Sequence, residues 1–319
     1  MITMRRILVI GSAGQLGSEI VPELRKKYGK ENVVASDIKL PSKESANNST
    51  PFIQLDILNK ESLSKSISDF KIDTIFNLAS ILSASGEKSP LKAWDVNLNG
   101  LLNVLESSKE HNIERIIWPS SIAAFGPTTP HLNTPNETIL SPTTMYGVTK
   151  VTGELLAKYY YYNYTLDTRS MRLPGIISSK TFPEGGTTDY AVEMFYSAIR
   201  KKKYISYLKE DTVLPMMYIN DCIKCMIDLL ETDNSQLKRR VYNVTSMSFS
   251  VGELAAEIKT HIPEFTIEYK PDFRQEIANS WPKTIDDSLA RQEWGWNPEY
   301  DLTSMTKDMI ELLEKKLKK

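Results

Sequence analysis

Cysteine is nearly absent. The 319 residues contain two, Cys222 and Cys225. Their Cys-x-x-Cys spacing has no second ligand pair, which argues against a structural zinc. Met226, Ile227 and Leu229 continue an apolar helical pattern, so both thiols are expected to be buried and no metal is expected. An excess of one charge is missing too. Lys+Arg 39 against Asp+Glu 40 leaves a net charge of -1. That removes the electrostatic case for nucleic acid or an anionic membrane as partner. Two short basic runs, Arg200–Lys203 and Lys315–Lys319, read as solvated helix ends, where the helix dipole favours cations. No stretch approaches the ~20 apolar residues of a membrane span. Met1–Ile10 lacks the apolar core and cleavage site of a signal peptide. There are no internal repeats and no low-complexity linker. What remains is a chain with 41% hydrophobic residues, long enough for one large domain or two coupled ones. A cytoplasmic enzyme acting on a small molecule is the expectation.

The pattern that is present alternates strands with helices. Arg6–Ile10 is a short apolar run, and Gly11-Ser12-Ala13-Gly14-Gln15-Leu16-Gly17 follows at once. Leu16, Ile20, Val21 and Leu24 then recur at helical spacing. Strand, glycine turn and helix form the context of a dinucleotide fingerprint. Glycines let the backbone approach a pyrophosphate, and the helix N-terminus faces the anion. Asn32–Asp37 reads as a second strand. Asp37 stands twenty residues after Gly17, where a carboxylate binds ribose hydroxyls and repels a 2′-phosphate. That favours NAD over NADP; the plain alternative is a residue ending a strand. Pro41–Pro51 reads as a mobile polar loop. Phe52–Asp56 is a third strand, after which Asp56 and Ile57 either face the adenine or lead into a capped helix over residues 60–70. Asp73–Ala79 is a fourth strand, and Leu78, Ala79 and Ser80 at its end let a cofactor pass closely. Ser89–His111 is expected as one helix with Trp94, Leu98, Leu101, Leu102 and Leu105 inward and Asn97 as a supporting hydrogen-bonder. Arg115–Ser121 and Leu166–Leu173 are the fifth and sixth strands.

This predicts an α/β fold, a doubly wound parallel sheet. Residues 1–175, rejoined by about 217–245, are expected to hold the cofactor. Residues 176–216 and 246–319 are expected to form a smaller, mixed substrate-binding part. On a helix from Met145 to about Tyr164, Tyr146 and Lys150 lie one turn apart on one face. Taken alone the pair reads as a surface tyrosine and a solvated lysine. With a fixed ammonium nearby the phenolate is favoured, and the pair becomes an acid/base device. Thr187 and Thr188, in Gly185-Gly186-Thr187-Thr188-Asp189, either bind an anion or cap a helix. Trp281 either closes a pocket or belongs to the core.

With Gly11, Gly14, Gly17, Asp37, Ser120–Gly126 and Tyr146–Lys150, the sequence resembles the extended short-chain dehydrogenase/reductase family. The resemblance implies that Ser121, Tyr146 and Lys150 form a catalytic set, and that Leu173 and Ile176 line the NAD site with Gln15 and Leu16. Ile81–Lys88, Met171–Ile177 and Gly185–Ala191 resemble the family's L-threonine-oxidising branch. That implies NAD-dependent oxidation of the threonine 3-hydroxyl to 2-amino-3-oxobutanoate, with Ser83, Gly186, Thr187, Thr188 and Trp281 at the substrate. It also implies a homodimer through the two long helices. A nucleotide-sugar epimerase or dehydratase of the same fold, using basic residues such as Arg200, Lys201, Arg239, Arg240 and Arg274, is the other enzyme reading. A non-catalytic NAD-binding sensor is the remote one.

Overall fold

The computed structural model describes residues 5–40, 50–183 and 185–318. The polar loop expected over Pro41–Pro51 lies outside them as far as residue 49.

Strands β1 (Ile7–Ile10), β2 (Val33–Asp37), β3 (Phe52–Gln54), β4 (Thr74–Asn77), β5 (Arg115–Ile117), β6 (Ser120–Ser121) and β7 (Asp167–Leu173) come first. β8 (Gly175–Ile177), β9 (Lys203–Ser206), β10 (Val213–Tyr218), β11 (Val241–Asn243), β12 (Met247–Ser250) and β13 (Thr266–Tyr269) follow. The main sheet has the order β11-β7-β5-β4-β1-β2-β3, with β6 beside β7. Every pairing in it is parallel. The predicted doubly wound sheet is therefore present. Its edge is completed by Val241–Asn243, a run 68 residues beyond the preceding sheet strand in sequence but in register with Ser170–Arg172.

Alternation along β1 explains the layering, since successive side chains point to opposite faces. Ile7 and Val9 share a core with Ile20, Val21 and Leu24 of α1 (Gln15–Tyr28). Leu8 and Ile10 share another with Leu63 and Ile67 of α2 (Lys60–Phe70). The order reverses at β1, which neighbours β2 on one side and β4 on the other. In open α/β sheets the crevice at such a reversal, beyond the strand C-termini, is where ligands bind.

The helix expected over Ser89–His111 is present from Pro90 to Glu110, but it is not uniform. It comprises α4 (Pro90–Trp94), a wider π-type turn over Asp95–Asn99, and α5 (Gly100–Glu110), and a separate short helix, α3 (Ser83–Lys88), precedes it. Asn97 sits on the wide turn, and such turns recur at functional sites. The inward stripe is also corrected. Trp94 and Leu102 are 40% and 39% exposed, whereas Leu98, Leu101 and Leu105 are buried. The expected strand Arg115–Ser121 breaks at Trp118–Pro119, where proline offers no N–H to the ladder.

Beyond the sheet lie α6 (Met145–Tyr164), α7 (Tyr190–Lys201), α8 (Ile219–Glu231) and α9 (Val251–His261). Thr144 caps α6 by accepting from the Gly147 N–H at 3.1 Å. Ser250 and Glu253 form the reciprocal cap of α9. β10 pairs with β8 and β12, and β9 with β13, building the smaller mixed part. Cys222 and Cys225 are fully buried on α8, and burial pushes both thiols up. No helix among the described residues is long and apolar enough to cross a membrane.

Candidate active site

A cleft of about 360 Å³ opens at the sheet's reversal point and runs to the smaller part. One end is lined by Gly11, Gly14, Gln15, Leu16 and Gly17, the middle by Leu78, Ala79, Ser80, Ser121, Tyr146, Lys150, Leu173 and Ile176. Ser83, Gly186, Thr187, Thr188 and Trp281 line the far end. Residues scattered over 270 positions are thus brought together.

The glycine turn is built for close approach. Gly11 has φ +83°, and a Cβ there would lie 2.8 Å from the Ala79 nitrogen. A Cβ on Gly17 would lie 2.2 Å from the Gly11 carbonyl oxygen. The Gly11 and Ser12 N–H groups donate to the Ser36 carbonyl, which pins the turn onto β2. Asp37 does not line the cleft. Its Oδ2 accepts from the Ala13 N–H at 2.9 Å and its Oδ1 from the Lys39 N–H at 3.0 Å. It therefore braces the turn from β2, one residue from the cleft wall. Gln15 donates to the Ile176 carbonyl and to Ser178, both at 3.1 Å, linking the turn to β8.

Three further predicted cofactor residues stand back from the cleft. Asp56 accepts from the Leu58 N–H at 2.9 Å and closes a turn; the cap of α2 is Asn59. Ile57 is buried against Gly100. Asn97 joins the two walls of the crevice behind Ser80. Its amide bonds the Ile81 N–H and carbonyl at 2.8 and 3.0 Å and reaches Thr149 on α6 at 3.2 Å.

Lys150 donates to the Pro119 carbonyl at 2.8 Å and lies 5.3 Å from the Tyr146 ring centre. Both side chains are buried, at 5% and 9% exposure, so neither is the surface residue the pair alone would suggest. Burial pushes the Tyr146 phenol up to about 12, with the Ser121 hydrogen bond pulling it down. Burial pushes Lys150 down to about 7, opposed by the Glu154 carboxylate. Desolvation of both groups thus outweighs the lowering of the phenol expected from its lysine neighbour.

At the far end Ser83 and Thr187 share a hydrogen bond of 3.0 Å between hydroxyls, and the Thr187 N–H donates to Ser83 at 3.2 Å. The cap of this turn is Asp189, whose Oδ2 accepts from the Gly185 and Gly186 N–H groups at 2.9 and 2.6 Å. Neither threonine does the capping. Lys316, expected to be solvated, instead donates to the carbonyls of Ser179 and Lys180 at 3.0 and 2.6 Å. It straps the segment leading to Thr181 and Phe182, which form the cleft rim.

Two lining residues had no signal beyond their neighbours. Asn77 ends β4 at 2% exposure, and its Oδ1 has no hydrogen-bond partner within the structure. Asp189 is the one carboxylate in the lining among the described residues, as Lys150 is the one cation. The basic residues considered for a nucleotide sugar lie elsewhere. Arg240 pairs with Asp167, Arg239 with Glu293 and Arg274 with Asp272, and neither Arg200 nor Lys201 lines the cleft. No cluster of metal-ligating side chains occurs among the described residues.

The model of the NAD dependent epimerase/dehydratase family matches residues 7–245. The chain belongs to that family. NAD is accordingly its cofactor, and the chain fits it: a cradle that a Cβ would fill, a helix N-terminus beyond it, and the unpartnered Asn77 amide oxygen. An uncharacterized epimerase/dehydratase of Staphylococcus haemolyticus is 48% identical over 98% of this chain and 99% of its own. Among solved structures, L-threonine dehydrogenase of Phytophthora infestans is 47% identical with a TM-score of 0.94, covering 98% of this chain and 99% of its own. L-threonine dehydrogenase of Clostridium difficile is 47% identical with a TM-score of 0.95, covering 98% of each chain. This family member is also similar, at 44% identity and TM-score 0.93 over 97% of its length and 99% of theirs, to an L-threonine 3-dehydrogenase described as monomeric.

Proposed function

We propose that this chain is an NAD-dependent L-threonine 3-dehydrogenase that produces 2-amino-3-oxobutanoate. The observation carrying the proposal is the pairing, in one cleft, of a buried Tyr146–Lys150–Ser121 set with a far end of hydroxyls, one carboxylate and, among the described residues, no arginine. A nucleotide diphosphate would call for guanidinium partners, whereas a small zwitterion suits this lining. The solved threonine dehydrogenases support the same reading.

When bound, NAD+ accepts the hydride from the carbinol carbon. Tyr146 takes the hydroxyl proton as phenolate. Lys150, held by Pro119, stabilises that phenolate, and Ser121 hydrogen-bonds the reacting oxygen. Ser83, Thr187 and Thr188 hold the substrate carboxylate, with Gly186, whose N–H is taken by Asp189, shaping the wall beside them. Asp189 is the counter-charge for its ammonium, and Trp281 closes the end wall.

The pH dependence follows from the two ionisations. The active form pairs a Tyr146 phenolate with a Lys150 ammonium. It carries one proton fewer than the fully protonated pair, and the same number as neutral phenol with neutral amine. With the phenol at about 12 and the amine at about 7, the active fraction rises tenfold per pH unit up to the lower midpoint, is level between the two midpoints and falls above the upper one.

We further propose that residues 1–175 with 217–245 serve the cofactor and 176–216 with 246–319 the substrate. Two copies would pair through α4, α5 and α6, where Leu91, Trp94, Leu155, Tyr159 and Tyr162 are 40–79% exposed. NADH formation with L-threonine, set against L-serine and a panel of nucleotide sugars, tests the central reading. Turnover of a nucleotide sugar with none of L-threonine would replace it.

A further inference from the structure

Three consecutive residues at the break after β5 and along β6, Pro119, Ser120 and Ser121, engage three successive turns of α6. Ser121 meets Tyr146, the Pro119 carbonyl meets Lys150, and Ser120 Oγ donates to Glu154 Oε1 at 2.6 Å. Glu154 follows Lys150 by one turn on the same face, as Lys150 follows Tyr146. It is 1% exposed. Arg172, on β7 and 3% exposed, bonds both carboxylate oxygens at 2.9 and 2.8 Å. Arg172 is itself anchored by the Asn136 carbonyl at 2.7 Å and the Asn243 side chain at 3.2 Å. An ion pair sealed this deeply costs desolvation that an apolar pair would not. Placed beside a buried amine, it does something an apolar pair cannot.

We propose that Glu154 is a positioning residue of the active site, acting through Lys150 and the Pro119–Ser121 turn. Its carboxylate supplies the negative charge that keeps Lys150 an ammonium, and its bond to Ser120 holds Ser121 in register with Tyr146. Arg172 fixes the carboxylate and offsets its charge. Other charged groups on elements packed against α6 do not share this place. Glu87, Lys88, Lys92 and Asp95 on α3, α4 and the wide turn are exposed. Glu106 and Lys109 of α5 are engaged with each other and with Tyr160, ten residues beyond Lys150 on α6. Asp167 and Arg169 bond each other at the opposite end of β7.

The proposal rests on Lys150 assisting Tyr146, so its first test does not use turnover. Competitive labelling with acetic anhydride, read by mass spectrometry on the Lys150 peptide, gives the amine's titration midpoint in the substrate-free protein. Glu154→Gln keeps an acceptor for Ser120 and removes the charge. Its Lys150 midpoint is expected to fall by about one pH unit or more, for a unit charge at this range in a partly screened interior. The break in the kcat/KM profile for L-threonine should fall with it, and Glu154→Asp should restore most of both. An unchanged midpoint in folded Glu154→Gln protein, or a loss of kcat equal at every pH, overturns the proposal. Should Glu154→Gln fail to fold because Arg172 is left unpaired, Glu154→Gln/Arg172→Met removes both charges and is held to the same midpoint criterion. If labelling shifts as expected but wild type does not oxidise L-threonine, the coupling stands and the substrate assignment fails.

Discussion

Gly175 opens β8 at the point where the cofactor side of the cleft meets the substrate side, and replacing it by alanine should damage the substrate wall specifically. A Cβ at this position would stand 2.3 Å from Met216 Sδ and 2.8 and 2.9 Å from Thr188 Cβ and Cγ2. The methionine end is flexible and can swing away. Thr188 is short and β-branched on a single turn braced by Asp189, so its backbone has to move. Recovering an ordinary contact of 3.4 Å displaces it by about 0.6 Å. Overpacking of this kind costs ~1–3 kcal/mol of stability. A shift approaching an ångström at a positioning group costs up to about 100-fold in rate. Gly175→Ala should therefore lower kcat/KM for L-threonine roughly 10- to 100-fold, with a smaller change in NAD affinity. Gly295→Ala is the control. Gly295 has φ +74°, and a Cβ there would meet nothing within 4 Å, so strain of about 1 kcal/mol should appear in Tm alone. Steady-state kinetics with calorimetry decides the matter. A Gly175→Ala enzyme of lowered Tm but near wild-type kcat/KM would refute Thr188 as a substrate contact.

Tyr146→Phe should reduce turnover by about 10²- to 10⁴-fold while NAD titrates almost as in wild type; retained activity would remove Tyr146 as the base. Asp37→Ala removes the acceptor of the Ala13 N–H and should weaken NAD binding about tenfold or more while narrowing discrimination against NADP. Equilibrium titration with both cofactors reads this directly, and identical affinities in the two proteins would count against it. Lys150→Met should abolish turnover and yet raise stability. The folded-state midpoint of about 7 lies below the ordinary lysine value, so wild-type stability increases with pH between the two and the penalty is full below 7. Denaturant melts at pH 6 should show a gain on the order of a few kcal/mol that vanishes in strong alkali; a loss at pH 6 would contradict the desolvation argument.

The placements that held from sequence are those in which the residues are neighbours along the chain. Gly11, Gly14 and Gly17 sit in one turn, and Tyr146 and Lys150 in one helical turn. There, spacing along the chain is distance in space. The alternation of apolar runs likewise carries the sheet, because β1 to β7 follow one another with helices between. Readings that depended on neighbours from elsewhere went differently. Trp94 and Leu102 match a helical stripe in periodicity, but the wide turn around Asn97 rotates the face that periodicity assumes. Asp56 has the look of a helix cap, and Asn59 has the geometry. Lys316 reads as one more tail lysine until the fold brings the carbonyls of Ser179 and Lys180 beneath it.

By itself, then, the sequence determined the sheet, the cofactor turn and the placement of Tyr146 and Lys150 on one helical turn, each written in spacings of a few residues that backbone geometry converts directly to positions. Only the tertiary structure decided the environment of that pair. Burial raising the Tyr146 phenol and lowering the Lys150 amine, Arg172 sealing Glu154 behind them, and a far wall without arginine all arise where segments distant in the chain come together. Desolvation and charge pairing are properties of what surrounds a group, and no local pattern records them.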